Sequence, residues 1–241
     1  MIGSGAYVEN ASAMWRAVAR DAQQDDVSFR ADLPRVTRLI LRAPVPVADV
    51  ARLLDSVPAA KSVVLEDTFG GRDALLPAST ARVLHMPVMV RPATELPTVA
   101  GETARVVRVS GPDELAVAER LIVEGFPVSA LLPWRRGEAL PAHLLGVRGW
   151  TAWLAYRRGE AAAAGYTYDD GRVVGLYWLV TSPEHRSAGL ARAVLTRAVR
   201  AHPGRPFTLV ATDAGLPLYE SLDFRRVATT TWYFRPPVGD R

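Results

Sequence analysis

The chain has 241 residues, 49% of them hydrophobic and 22% charged, with a formal net charge of +4. That balance is ordinary for a globular protein, and the length suits one large domain or two small ones. The absence of cysteine excludes disulfides, thiolate metal sites and a cysteine nucleophile, and no apolar run reaches the ~18 residues that suggest a membrane span.

Residues 1–102 read as an N-terminal α/β domain. Helical spacing runs over 10–21 (Ala13, Met14, Ala17, Val18). Residues 36–42 are strand-like, 47–57 helical, and 62–66 and 82–91 strands. The first thirteen residues lack the basic start and long apolar core of a secretory signal, so a cytoplasmic location is expected. Pro92, Pro97 and Gly101 mark 92–102 as a linker.

Beyond it, 104–110 reads as a strand. Gly111-Pro112-Asp113 opens a helix to Gly125, with Asp113 and Glu114 suited to its positive end. Residues 126–149 are broken by Pro and Gly and carry Trp134 and Arg135-Arg136. Strands are expected at 150–157 and 161–168 around Arg158-Gly159, and at 173–181 after Asp169-Asp170-Gly171. The last of these runs through a Pro-containing turn into Arg186-Ser187-Ala188-Gly189-Leu190-Ala191, and helical spacing continues over 192–200 until Pro203 and Gly204 stop it. A strand at 207–211, a short helix within 213–224 and an alternating run at 227–234 complete the chain. The fold class is α/β (α+β): a mixed sheet flanked by helices.

A glycine at the mouth of a helix lets backbone approach a ligand, and the free N–H groups of the first turn suit a pyrophosphate. Arg186-x-x-Gly189-x-Ala191 resembles the acyl-CoA-binding motif of the GNAT acetyltransferase superfamily, Gln/Arg-x-x-Gly-x-Gly/Ala. Leu218-Tyr219-Glu220, then Leu222-Asp223-Phe224 and a strand, is similar to the family's second motif, a short helix with Leu-Tyr-Glu followed by Leu-Gly-Phe. The glycine motif alone is weak; both motifs in order and spacing carry the resemblance, which covers about 103–241. It implies a GNAT-like domain using acetyl-CoA as cosubstrate, without a metal. The activity implied is N-acetyl transfer, directly and without an acyl-enzyme, to a primary amine of a small-molecule or amino-acid-like acceptor.

The resemblance also implies site residues. Main-chain groups of Leu179, Val180 and Thr181 would bond the pantetheine arm. Arg186, Ser187, Ala188, Gly189, Leu190 and Ala191 would cradle the pyrophosphate. Tyr219 would lie near the cofactor sulfur, as proton donor or as hydrogen-bond partner. Thr212 stands where many relatives carry an Asn that touches the cofactor, and Asp223 replaces a Gly that normally ends a helix at positive φ. Strand alternation puts Tyr177 and Trp178 on opposite faces, one in the core and one lining the acceptor pocket. That pocket is expected between 126–149 and the strands bearing Tyr166, Tyr168 and Tyr177. No general base stands out. Glu124, Asp169, Asp170 and His143 are candidates, and each reads more readily as structural or solvated; His185 reads as a turn residue.

The four histidines (His85, His143, His185, His202) show no metal-ligand spacing. The base is almost all arginine, Lys61 being the one lysine, and no basic run is interleaved with aromatics, so no nucleic-acid partner is expected.

There is an internal echo. Residues 63–67 lead through Gly70-Gly71 to a strand ending Val90-Arg91-Pro92, as 209–213 lead through Gly215 to one ending Phe234-Arg235-Pro236. This predicts a degenerate half-copy of the same fold at the N-terminus, the alternative being an unrelated α/β cap with a chance repeat. Nothing in 1–102 matches the glycine motif, so that half is not expected to bind CoA. Its role would be to cover the open sheet edge or to form a homodimer. The alternative function is a catalytically inactive acyl-CoA-binding sensor or interaction module, supported by the departures at Thr212 and Asp223.

Overall fold

Val36–Leu41 and Ser62–Asp67 are buried along their whole length, the mark of parallel strands covered on both faces. They are the third and fourth of eleven strands that the described residues form in one sheet. The computed structural model describes residues 3–19, 21–70, 82–96, 104–126 and 129–238. In chain order the elements are α1 (Ser4–Ala19), β1 (Ala22–Gln24), β2 (Ser28–Asp32), β3 (Val36–Leu41), α2 (Val47–Asp55), β4 (Ser62–Asp67) and β5 (Arg82–Arg91). After these come β6 (Arg105–Arg108), α3 (Pro112–Gly125), β7 (Trp150–Arg157), β8 (Glu160–Asp169), β9 (Val174–Thr181), α4 (Leu190–Arg200), β10 (Phe207–Val210), α5 (Leu216–Glu220) and β11 (Arg225–Arg235). The expected mixed sheet flanked by helices is present. The sequence did not announce β1 and β2, a short hairpin whose turn is held by Asp25 Oδ1 accepting from the Val27 and Ser28 amides.

The sheet order is β1-β2-β3-β4-β11-β5-β10-β9-β8-β7-β6. β3 and β4 are parallel, as are β9 and β10; the pairs β4–β11, β11–β5 and β5–β10 are antiparallel. Reversing the order and the strand directions about the β11–β5 boundary reproduces the pattern from β1 through β7. The ten central strands therefore have a two-fold relation, with β6 added at one edge. Each half gives its last strand to the other: β11 lies between β4 and β5, and β5 between β11 and β10. Residues 1–102 and 103–241 thus share one continuous sheet. Of the expected linker, 97–102 lies outside the described residues.

The repeated Arg-Pro has a structural counterpart. Arg91 and Arg235 end the exchanged strands and both are buried. Arg91 Nε donates to the Leu222 carbonyl at 3.0 Å, and its other nitrogens donate to the carbonyls of Pro92, Thr94 and Glu95. Arg235 Nη2 donates to the Val57 carbonyl at 2.8 Å. Each arginine reaches a carbonyl in the other half, using a donor fork that stays charged and has no acceptor of its own to satisfy.

The helices form two layers. On one face α1 and α3 cover β2, β3, β8 and β9, with Met14, Trp15, Ile40, Ile122 and Tyr166 in the core. On the other, α4 and α5 cover the C-terminal half and α2 the N-terminal half. No helix among the described residues is long and apolar enough to cross a membrane.

Candidate functional site

The parallel strands β9 and β10 pair only at Phe207↔Val174 and Thr208↔Gly175. Beyond that point β10 stays with β5 along all four of its residues, and β9 stays with β8. The edge of β9 facing β10 is therefore unladdered over 176–181, the stretch that includes Leu179, Val180 and Thr181. A crevice opens at the C-terminal ends of two parallel strands, a usual ligand position in such sheets. Main-chain groups left out of the ladder there can take an extended amide-bearing chain as a further strand.

The loop from β9 to α4 lies at the mouth of this crevice. Ser187 and Gly189 have φ of 60° and 75°, and Gly189 is the N-cap of α4 with no side chain capping the first turn. The amides of Leu190, Ala191 and Arg192 are left without helical partners, the first helical bond running from Ala193 N to Gly189 O at 2.9 Å. A Cβ built on Gly189 meets nothing within 4 Å, so the approach is open. Arg186 and Ser187 are exposed and Ala188 and Ala191 half-buried, while the Leu190 side chain anchors the turn in the core. Beside the loop a cavity of about 380 Å³ is lined by Arg105, Arg157, Arg158, Gly159, Ala188 and Leu190.

The symmetry-related pair in the N-terminal half differs. β3 and β4 stay paired over five residues, from Val36↔Ser62 to Ile40↔Glu66, so no crevice opens there.

Many solved structures share this architecture, three GCN5-related ones among them. A GCN5-related N-acetyltransferase from Kribbella flavida aligns with a TM-score of 0.64 at 16% identity, covering 98% of this chain and 97% of that one. A GCN5-related N-acetyltransferase-like protein from Streptococcus suis gives 0.61 at 14% identity, covering 97% and 100%. A GCN5-related N-acetyltransferase from Sphaerobacter thermophilus gives 0.58 at 15%, covering 88% and 78%. The fold is GNAT. The likeness is one of fold, and in the first two it extends over nearly the whole chain, N-terminal half included. No family model and no curated relative matches the chain.

Within the GNAT frame, Tyr219 sits on α5, one short turn beyond the end of β10. It is buried against Phe224, with ring centroids 5.7 Å apart, and a Cβ on Gly215 would lie only 2.7 Å from its ring. Burial pushes its pKa up to about 12. Among the described residues its hydroxyl has no hydrogen-bond partner. Thr212 is exposed; its carbonyl accepts from the Gly215 and Leu216 amides. Asp223 has φ 65°, and the amides of Leu222 and Phe224 close back on the Tyr219 carbonyl. It takes the left-handed position expected from sequence, a conformation Asp tolerates better than most residues.

The expected alternation at Tyr177 and Trp178 fails. Ala164 pairs with Val180 and Tyr166 with Tyr177, so two residues of β9, Trp178 and Leu179, oppose Gly165 alone. Trp178 is left-handed at φ 52°, and this bulge puts it on the same face as Tyr177 and Val180. Gly165 accommodates the bulge: a Cβ there would lie 3.1 Å from Leu179 Cα.

The acceptor face is also different from expectation. Tyr166 and Tyr177 are core residues, stacked with centroids 5.5 Å apart and covered by α1. The Tyr177 hydroxyl donates to Asn10 Oδ1 at 2.6 Å, and Asn10 Nδ2 donates to the carbonyls of Tyr168 and Val173 and to Asp170. Helix α1 thus occupies the place expected for the acceptor. The segment after α3 packs instead at the Trp178 end, where Leu131, Ala139 and Trp134 meet Val36, Val64, Trp178 and Trp232.

None of the candidate bases faces the crevice. Glu124 pairs with Arg120 on the surface of α3, Asp169 and Asp170 hold turn amides, and His143 Nε2 lies 2.9 Å from the Ala17 carbonyl. Glu66, Asp67 and Glu119 are buried carboxylates that were not singled out by sequence. Glu119 organises the segment after α3, accepting from the amides of Gly137, Ala139 and Leu140 and from Trp134 Nε1. Glu66 on β4 accepts from the Tyr7 hydroxyl at 2.6 Å and pairs with Arg38. Among the described residues no group of His, Asp or Glu is placed to hold a metal.

Proposed function

We propose that the protein transfers an acetyl group from acetyl-CoA directly to a primary amine of a small-molecule or amino-acid-like acceptor. The observation that carries this reading is the parting of β9 from β10 beneath an α4 N-terminus capped by left-handed Gly189. In this reading the amides of 189–191 bind the pyrophosphate, aided by the helix dipole and by the arginine-lined cavity beside the loop. The unladdered edge of β9 takes the pantetheine amides. The chemistry requires a neutral amine nitrogen to form a bond to the thioester carbon while the carbon–sulfur bond breaks. The amine proton passes to water or a base, and the departing thiolate takes up a proton. Tyr219 is the donor to sulfur, because its hydroxyl stays protonated far above neutral pH. The absence of cysteine agrees with a direct transfer.

Calorimetry with acetyl-CoA, followed by thiol release over a panel of amines, tests the reading. Binding together with amine-dependent thiol release is expected. Binding without release on any amine would favour a silent acyl-CoA sensor, and no binding would remove both.

A further inference from the structure

The cavity of about 380 Å³ beside the Gly189 loop is lined by three arginines: Arg105 at the start of β6, and Arg157 and Arg158 where β7 turns into β8. Ala188 and Leu190, on either side of Gly189, also line it, so the cavity and the loop at the crevice mouth share residues. No carboxylate is among the lining residues. Among the described residues none of the three guanidiniums makes an ion pair or a hydrogen bond. Glu160, two residues beyond Arg158, has its carboxylate 4.0 Å from His185 Nε2. Three like charges around one cavity focus a positive potential that only an incoming anion relieves.

Exposed arginines are ordinarily just solvated, and two features set these apart. The Arg105 guanidinium stands over the Tyr156 ring, 5.1 Å from its centroid, which holds the charge in place while leaving its N–H donors unused. Arg158 opens a two-residue hairpin turn between the paired Arg157 and Glu160, with φ of 53° at Arg158 and 86° at Gly159. Such a turn favours Asn or Asp at its first position, and an arginine there carries left-handed strain. Backbone strain of this kind is kept where the side chain has a use. Guanidiniums bind phosphate oxygens in pairs of charged hydrogen bonds, and three of them suit a phosphate monoester, which approaches two negative charges at neutral pH. In the acetyl-transfer reading the amides of 189–191 hold the pyrophosphate. The same coenzyme carries a phosphate monoester on its ribose, joined through that nucleoside to the pyrophosphate.

We infer that Arg105, Arg157 and Arg158 form a subsite for a phosphate monoester, the ribose 3′-phosphate of the coenzyme, and make the protein selective for coenzyme A over its 3′-dephospho form. The inference rests on the acetyl-transfer reading and deepens it. The test is calorimetric titration of the full chain with acetyl-CoA and with acetyl-3′-dephospho-CoA. Wild type should bind the dephospho form at least about tenfold more weakly, the lower end of what losing charged hydrogen bonds costs. Arg158→Asn removes the charge and suits the turn; Arg105→Gln changes an exposed position on the edge strand. Each should narrow the gap by at least about threefold, and the two together should close it to within about twofold, with affinity for the dephospho form unchanged and folding confirmed by melting curves. Arg197→Gln, an exposed arginine in the last turn of α4, is the charge-matched control and should leave the gap intact. Equal affinities for the two forms in wild type would overturn the inference, as would a gap that survives the double variant or narrows equally in the control. Equal affinities together with an Arg158-dependent rise in melting temperature in inorganic phosphate would give the cavity to a separate phosphate and overturn its assignment to the coenzyme. A wild-type chain that binds neither form would remove the acetyl-transfer reading first, and this inference with it.

Discussion

Tyr219 combines a buried ring, an unpartnered hydroxyl and a pKa pushed up to about 12 by burial. Since the hydroxyl bonds nothing in the described protein, Tyr219→Phe removes chemistry and little structure. The expected result is a kcat lower by about 10²-fold, the lower end of the range for a positioned acid, with acetyl-CoA affinity within about twofold. Steady-state kinetics beside calorimetry checks it; an unchanged kcat would reassign Tyr219 to packing. The same residue predicts a pH limb. Its folded pKa lies above the unfolded value of about 10, so its contribution is fully present below pH ~10. That contribution falls as pH rises towards ~12, because the unfolded chain then loses the proton more readily. Tyr7 and Tyr177 are raised in the same direction, chiefly by burial. Denaturant midpoints should therefore drop steeply between about pH 10 and 12. A flat profile there would mean that these phenols are not buried as described. At this scale the sequence was legible where a residue type has one usual reason to be present, as with Gly189, Tyr219 and the Asp223 cap. It was not legible where burial assigns the role. Nothing local distinguishes Glu66, paired inside the sheet, from an acidic residue on a strand edge.

At the scale of elements, periodicity located most helices and strands within a few residues of their ends, because each has one clearly apolar face. The bulge of β9 escaped. Alternation assumes extended backbone, and Trp178 is left-handed, so the strand shifts its side chains by one face. Gly165 opposite was the available clue. The exchange of β5 and β11 also escaped, since strand order depends on contacts distant in sequence; only the repeated Arg-Pro hinted at it. That arginine is open to test. Arg91→Met keeps the stem and leaves four carbonyls without their donor. Destabilisation of about 2–4 kcal/mol is expected, the sum of several lost charged hydrogen bonds less what water restores. Urea denaturation measures it. A loss under ~1 kcal/mol would show that packing alone holds the exchanged strands.

Over the whole molecule, the two halves of the sheet share a strand order but differ where their parallel strands meet. In the C-terminal half the parallel strands part after two pairs and a glycine caps the following helix. In the N-terminal half the equivalent strands stay zipped over five pairs, and the sequence carries no such glycine motif. The N-terminal half supplies two things the C-terminal half lacks: β5, which backs β10, and α1, which covers Tyr166 and Tyr177. Deleting residues 1–95 should therefore give aggregated or inactive material by size-exclusion chromatography and thiol-release assay, because β10 would become a bare edge. A well-behaved, fully active fragment would contradict the shared sheet.

The account turns on the loop of Gly189. A Cβ there meets no atom within 4 Å, so Gly189→Val leaves packing intact and adds only left-handed strain of about 1–2 kcal/mol. It places a branched side chain where the pyrophosphate would approach. Calorimetric titration of acetyl-CoA into wild type and Gly189→Val, with melting curves to confirm folding, is the most direct measurement. The account predicts binding by wild type and an affinity at least about tenfold weaker in the folded variant. Equal affinity in the two would contradict it.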